Sequence, residues 1–173
     1  NSDVTKTECF QLLMKSAVLC NDSDVVQEGD KWVVHGDPTE GALVVAALKA
    51  GIDKTQVTGA YPRINEFPFS SDRKRMTTIH RSIQETNGKS LVIMKGAPDV
   101  MIRYCTRICI DNTTVELTED KLKTVIRMNE EMASDGLRVL GIAYKEVTGD
   151  LTDCKEEAAE SDSAARRGAS REP

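Results

Sequence analysis

The chain has 173 residues, 39% of them hydrophobic and 29% charged, with a formal net charge of -5. That length and apolar content suffice for one packed domain, with or without a tail, while the acidic balance excludes a nucleic-acid-binding face, which needs surplus Lys and Arg against phosphates. No run approaches the roughly 18 to 20 consecutive apolar residues of a membrane helix, and the first residues lack a signal-peptide pattern, so the chain reads as a soluble monomer without direct membrane insertion.

Phe10, Leu13, Met14, Ala17 and Val18 recur at helical spacing and predict a core-facing helix over residues 6–20. A polar, turn-rich stretch over 21–30 precedes a short strand over 31–34, ended by Gly36-Asp37-Pro38. A second helix follows over 38–50, with Asp37 as cap, proline at the tolerated first position and Gly51 at the stop. Residues 64–69 and 76–81 read as strands joined by the polar connection 70–75. A third strand over 90–95 follows the Asn87-Gly88 hairpin signal.

Pro98 opens a short helix over 97–104, and a longer one spans 118–134 with Leu122, Val125, Ile126 and Met132 on its expected buried side. The near-continuous apolar run 138–144 predicts a last strand. Hairpin-linked strands mixed with helices imply an α+β fold, a mostly antiparallel sheet with helices packed on its faces. Residues 1–149 form the expected domain. Residues 150–173, rich in Glu, Ala, Ser and Arg, read as a disordered tail or an engineered or truncated end.

The five cysteines, Cys9, Cys20, Cys105, Cys109 and Cys154, are odd in number and contain no CxxC pair, so the expectation is reduced thiols, with no disulfide framework and no zinc site. His35 and His80 have no nucleophile or metal partner nearby in sequence and read as structural or surface residues. Neither GxxxxGK[ST] nor GxGxxG occurs. What remains is a polar and cationic set at strand ends: Glu40, Ser70, Ser71, Arg73, Lys74, Lys95 and Arg138, with Phe69 among them. Such a set can build a nucleotide site, since adenine needs a stacking partner and hydrogen-bonding groups while a triphosphate needs Lys or Arg. Taken alone, Arg73, Lys74 and Arg75 read as a solvated charge run.

Five segments, AVLCND at 17–22, GDPTEGALVVAALKAG at 36–51, FPFSSDRKRMTTI at 67–79, KGAPDVM at 95–101 and DGLRVLGIAYK at 135–145, together resemble the nucleotide-binding domain of P-type cation-transporting ATPases. FPFSSDRKRM and DPTEGAL are most similar to calcium pumps of the sarcoplasmic-reticulum and secretory-pathway type and their bacterial relatives. The resemblance implies that Phe69 stacks on adenine, that Glu40 approaches the adenine amino group, and that Ser70, Ser71, Lys74 and Lys95 line the pocket. Gly96 would allow close approach of the ring, and Arg138 would reach the phosphates. In the sarcoplasmic-reticulum type an arginine stands where this chain has Ser71, so one cation of the expected clamp is missing.

The resemblance further implies ATP as ligand, with phosphorylation and actuator domains of the same pump as partners, in the cytoplasmic part of an integral membrane protein. The DKTGT and TGE motifs that carry phosphorylation and dephosphorylation in the family are absent from this chain. Mg2+ is expected only with the phosphorylation domain. The implied role is to present the γ-phosphate of ATP to an aspartate elsewhere, with no catalytic residue in this chain. An interaction module that kept the fold without ATP binding is the alternative, as is the corresponding domain of a pump for another cation. An independent nucleotide hydrolase is disfavoured by the lack of a visible base, nucleophile or metal cluster.

Overall fold

Thr7 opens the first helix, its hydroxyl accepting the Phe10 N–H at 3.3 Å and thereby satisfying one of the donors a helix start leaves unpaired. The helix, α1, spans Glu8–Leu19 and buries Met14, Ala17, Val18 and Leu19. The computed structural model describes residues 4–83, 88–149 and 151–156. Strands β1 (Asp24–Glu28) and β2 (Lys31–His35) form a hairpin. Helix α2 (Pro38–Lys49) follows, capped by Asp37, whose carboxylate accepts the Thr39 and Glu40 N–H groups at 2.8 and 3.1 Å. A short helix, α3 (Lys54–Ala60), leads to β3 (Arg63–Ser70), β4 (Arg75–Arg81) and β5 (Lys89–Gly96).

Helix α4 (Pro98–Met101), extended by a 3-10 turn over Ile102–Tyr104, precedes a second hairpin of β6 (Arg107–Ile110) and β7 (Thr113–Glu116). Helix α5 (Glu119–Ser134) and strand β8 (Gly141–Thr148) complete the order. The main sheet is antiparallel with strand order β3-β4-β5-β8, so the α+β expectation holds.

Side chains alternate across a strand, and here both faces are covered. On one face Met76 and Ile93 pack with Leu19 and Cys20 from the end of α1; α1 and α2 share a further cluster of Met14, Val18, Ala47 and Ile52. On the other face Ile79 and Val92 meet Ile64, Phe67, Val147, Leu151 and Cys154. This two-sided cover explains why the central strands β4 and β5 are buried along nearly their whole length. Each fully buried side chain of this size contributes about 1.5 to 3 kcal/mol. Leu151 and Cys154 are partly buried against this cluster, while residues 150 and 157–173 of the expected tail lie outside the described residues, as does Asn87 of the expected hairpin turn.

Four expectations are corrected. The last strand runs Gly141–Thr148 and not 138–144, because it pairs residue for residue with all of β5, from Gly96↔Gly141 to Lys89↔Thr148. The stretch read as turn-rich contains β1, a strand made by its pairing with β2 and not by apolar content. The expected buried side of α5 is not buried: no residue of the helix is, and Ile126 is 38% exposed. Finally, Cys9 and Cys109 are joined in a disulfide across a sequence separation of 100, a bridge in which Cys20, Cys105 and Cys154 take no part. Pairing over that span depends on the tertiary approach of α1 to the β6–β7 hairpin, which cysteine spacing does not reveal.

Candidate functional site

Lys95 lies near the end of a central strand and is only 6% exposed. A buried ammonium requires a partner, and Glu40 in the first turn of α2 supplies it, Oε1 accepting from Nζ at 2.5 Å. Glu40 is itself held in place. Its Oε2 accepts the Asp22 N–H at 2.8 Å, and its backbone carbonyl accepts from Asn21 Nδ2 at 3.0 Å. Each carboxylate oxygen keeps a lone pair free, so the paired Glu40 can still accept from a further donor.

The first turn of α2 is also where Arg138 arrives, Nη1 donating to Thr39 Oγ1 at 3.1 Å. Hydrogen bonds from the Glu40 and Thr39 backbone hold the Asp37 carboxyl below the usual carboxylate range, with Arg138 acting in the same direction. The helix start is therefore rigidly capped. Gly41 allows α2 to sit tightly on the first hairpin: a Cβ there would fall 2.2 Å from Val34 Cγ1.

The remaining expected site residues surround the β3–β4 connection. Lys74 adopts a left-handed conformation with φ 53°; its N–H donates to the Ser70 carbonyl at 2.7 Å, and its own carbonyl accepts the Ala97 N–H at 3.0 Å. Gly96 makes that second contact feasible, since a Cβ would lie 2.4 Å from Lys74 O. Ser70 pairs with Arg75 in the β3–β4 register, and Gly96 pairs with Arg75 from the other side. Ser71 is exposed in the turn, as is the Lys74 side chain. Phe69 is 63% exposed, an aromatic ring presented to solvent beside this turn.

The structure thus joins Glu40 to Lys95 directly, brings Arg138 to the helix turn that bears Glu40, and sets Ser70, Lys74 and Gly96 in one backbone knot adjoining Lys95. Arg73 departs from the set: its guanidinium contacts Glu156 and the Pro68 carbonyl. Arg75 also faces Glu156, at 3.5 Å, and lies 4.7 Å from the centroid of the Tyr104 ring. A cleft of about 1130 Å³ lies elsewhere, between α1, the β6–β7 hairpin, α5 and the β8 edge, and its walls include none of these site residues.

Asn21, Asp22 and Arg63 hold the site together without having been singled out individually. Arg63 contacts the Asp22 and Glu66 carboxylates at 2.7 and 2.5 Å and donates to the Leu19 and Asn21 carbonyls, both at 3.1 Å. It fixes the end of α1, whose next residues grip Glu40. AVLCND contained the signal, since its Asn and Asp follow an apolar helix end, but their target lies 18 and 19 residues away.

Residues 9–167 match the family described as P-type ATPase, cytoplasmic domain N. The chain is 34% identical to a calcium-transporting ATPase of Bacillus subtilis, over 90% of this chain and 17% of that protein. It is 36% identical to calcium-transporting ATPase 1 of Lactococcus lactis, over 88% of this chain and 16% of the relative. A calcium-transporting ATPase of Listeria monocytogenes is 38% identical, with coverages of 83% and 16%. The chain therefore spans about a sixth of the length of these relatives. With the match running through both the Glu40–Lys95 pair and the β3–β4 turn, this chain belongs to the cytoplasmic N domain family of the P-type ATPases.

Proposed function

We propose that this chain is the ATP-binding domain of a cation pump, with calcium the favoured ion, and that it presents the γ-phosphate of ATP to an aspartate in a separate phosphorylation domain. The observation that carries the reading is the buried Lys95–Glu40 pair, placed beside the Arg138-bearing turn and the Lys74 turn. The residues fit a nucleotide. Phe69 offers an open aromatic face for a base, worth on the order of 1 to 3 kcal/mol; Glu40 retains acceptor capacity for an amino group, Lys95, paired with it, forms the pocket floor, and Lys74 and Arg138 supply positive charge for phosphates.

ATP would supply the transferable phosphoryl group. This chain binds and orients it, holding the base between Phe69 and Glu40 while the cations restrain the phosphates. Ser71 leaves that restraint one cation short, which favours modest affinity. Mg2+ is assigned to the phosphorylation domain, and that domain and the actuator domain are the partners, in the cytoplasmic part of a membrane pump. The relatives named as calcium-transporting ATPases support calcium as the cargo.

Titration of the chain with ATP, followed by amide resonances, is expected to shift Phe69, Lys95 and Arg138. Phe69→Ala is expected to weaken binding roughly 5- to 100-fold with little change in melting temperature, because the ring is largely exposed. Resonances unmoved at several millimolar ATP would instead favour an interaction module that retains the fold without the ligand.

A further inference from the structure

The half-buried Cys9 lies in the first turn of α1, whereas Cys109 is exposed on β6, and the two are bonded with Cα atoms 6.4 Å apart. The bridge is the covalent part of a junction that also has a non-covalent part, since the Cys9 N–H donates to Asn112 Oδ1 in the β6–β7 turn at 3.0 Å. Because that hydrogen bond does not depend on sulfur, reduction leaves a contact that keeps the two thiols together. Both cysteines line the wall of the 1130 Å³ cleft, so a small thiol has a route to them.

Disulfides of cytosolic proteins are usually transient and redox-sensing, because glutathione and thioredoxin keep thiols reduced. The family is that of a cytoplasmic domain. We propose that Cys9 and Cys109 form a reversible thiol–disulfide exchange site, with low-molecular-weight thiols and disulfides of the glutathione class as its reactants.

In the oxidising direction the Cys109 thiolate attacks glutathione disulfide. The glutathione S–S bond breaks, a mixed disulfide forms on Cys109, and one glutathione thiolate leaves. The Cys9 thiolate then attacks Cys109 Sγ, forming the internal bond and releasing the second glutathione. The two cysteine protons end on the two glutathione thiols, so two cysteine thiols are oxidised as one glutathione disulfide is reduced. Reduction is the reverse. The bridge closes a loop of about 100 residues in the unfolded chain, which makes the oxidised form the more stable one. It fastens the start of α1, the helix whose far end positions Glu40 through Asn21 and Asp22.

The test equilibrates the chain without oxygen in glutathione buffers of stepped redox ratio, traps free thiols by alkylation and maps the peptides by mass spectrometry. A single two-electron transition joining Cys9 to Cys109 is expected, unchanged in Cys105→Ser. The melting temperature should fall by roughly 5 to 15 °C on reduction, and Cys9→Ser and Cys109→Ser should lack this redox dependence. The proposal is overturned if the two cysteines end as separate glutathione adducts, remain alkylatable at every ratio, stay bridged at the most reducing ratio, or if Cys109 pairs with Cys105. ATP binding does not enter the readout, so the result stands apart from the nucleotide reading.

Discussion

Phe69 and His80 carry opposite messages about burial. The exposed Phe69 contributes little to the core, which leaves its ring free for a ligand, whereas His80 is 1% exposed and wholly occupied with protein contacts. Its Nδ1 meets the Tyr61 carbonyl at 3.0 Å and its Nε2 meets Thr78 Oγ1 at 2.9 Å, consistent with a neutral ring donating to the carbonyl and accepting from the hydroxyl. Burial lowers its pKa from the ordinary 6.5 to about 4, outweighing the opposing hydrogen bond to Tyr61. The unfolded chain consequently binds more protons between these values, so the contribution is complete above pH 6.5 and is lost as pH falls towards 4. It amounts to about 3 kcal/mol. Denaturant unfolding across this window should show the loss, and His80→Gln should flatten it; an imidazole titrating near 6.5 in the folded chain would contradict the assignment. Reading His80 as structural needed only the absence of a chemical partner in sequence, but its neutrality depends on burial, which only the folded chain supplies.

Among the elements, the Lys74 turn and α5 differ most from what local pattern conveys. The turn is held by an approach of two backbones that only glycine permits at position 96. Gly96→Ala should cost about 1 to 3 kcal/mol through forced displacement and weaken ATP binding along with stability, since Lys74 and Lys95 would both shift. Chemical denaturation and nucleotide titration on the same variant check this; unchanged values in both would show that the turn yields easily. Helix α5 has periodic apolar residues, and that periodicity correctly announced a helix over Glu119–Ser134. Periodicity identifies a face without identifying what covers it, which is why the burial expected of Ile126 failed. Strand β1 and the β6–β7 hairpin were likewise illegible, whereas the strand expected over 31–34 is β2; these largely exposed strands owe their existence to pairing and show no strong internal alternation.

For the molecule as a whole, the proposed function assigns nucleotide binding to this chain and the chemistry to another domain. Among the described residues no group of three or more His, Cys, Asp or Glu could hold a metal, and in the proposed reading the buried Lys95–Glu40 pair serves binding. Incubated with ATP and Mg2+, the chain alone is expected to release no phosphate above a blank in a phosphate-release assay; sustained release abolished by Lys95→Ala would revive the hydrolase reading. The order of the five motifs, the capped helix start at Asp37 and the apolar runs of the central strands sufficed for the family and for the α+β class, because those features are local and are written in consecutive residues. The meeting of Glu40 with Lys95, the grip of Asn21 and Asp22 on Glu40, the diversion of Arg73 to Glu156 and the bridging of Cys9 to Cys109 were decided by tertiary structure alone. Each joins groups far apart in the chain, where neither spacing nor periodicity carries information and only the closing of the sheet against its helices brings the atoms within reach.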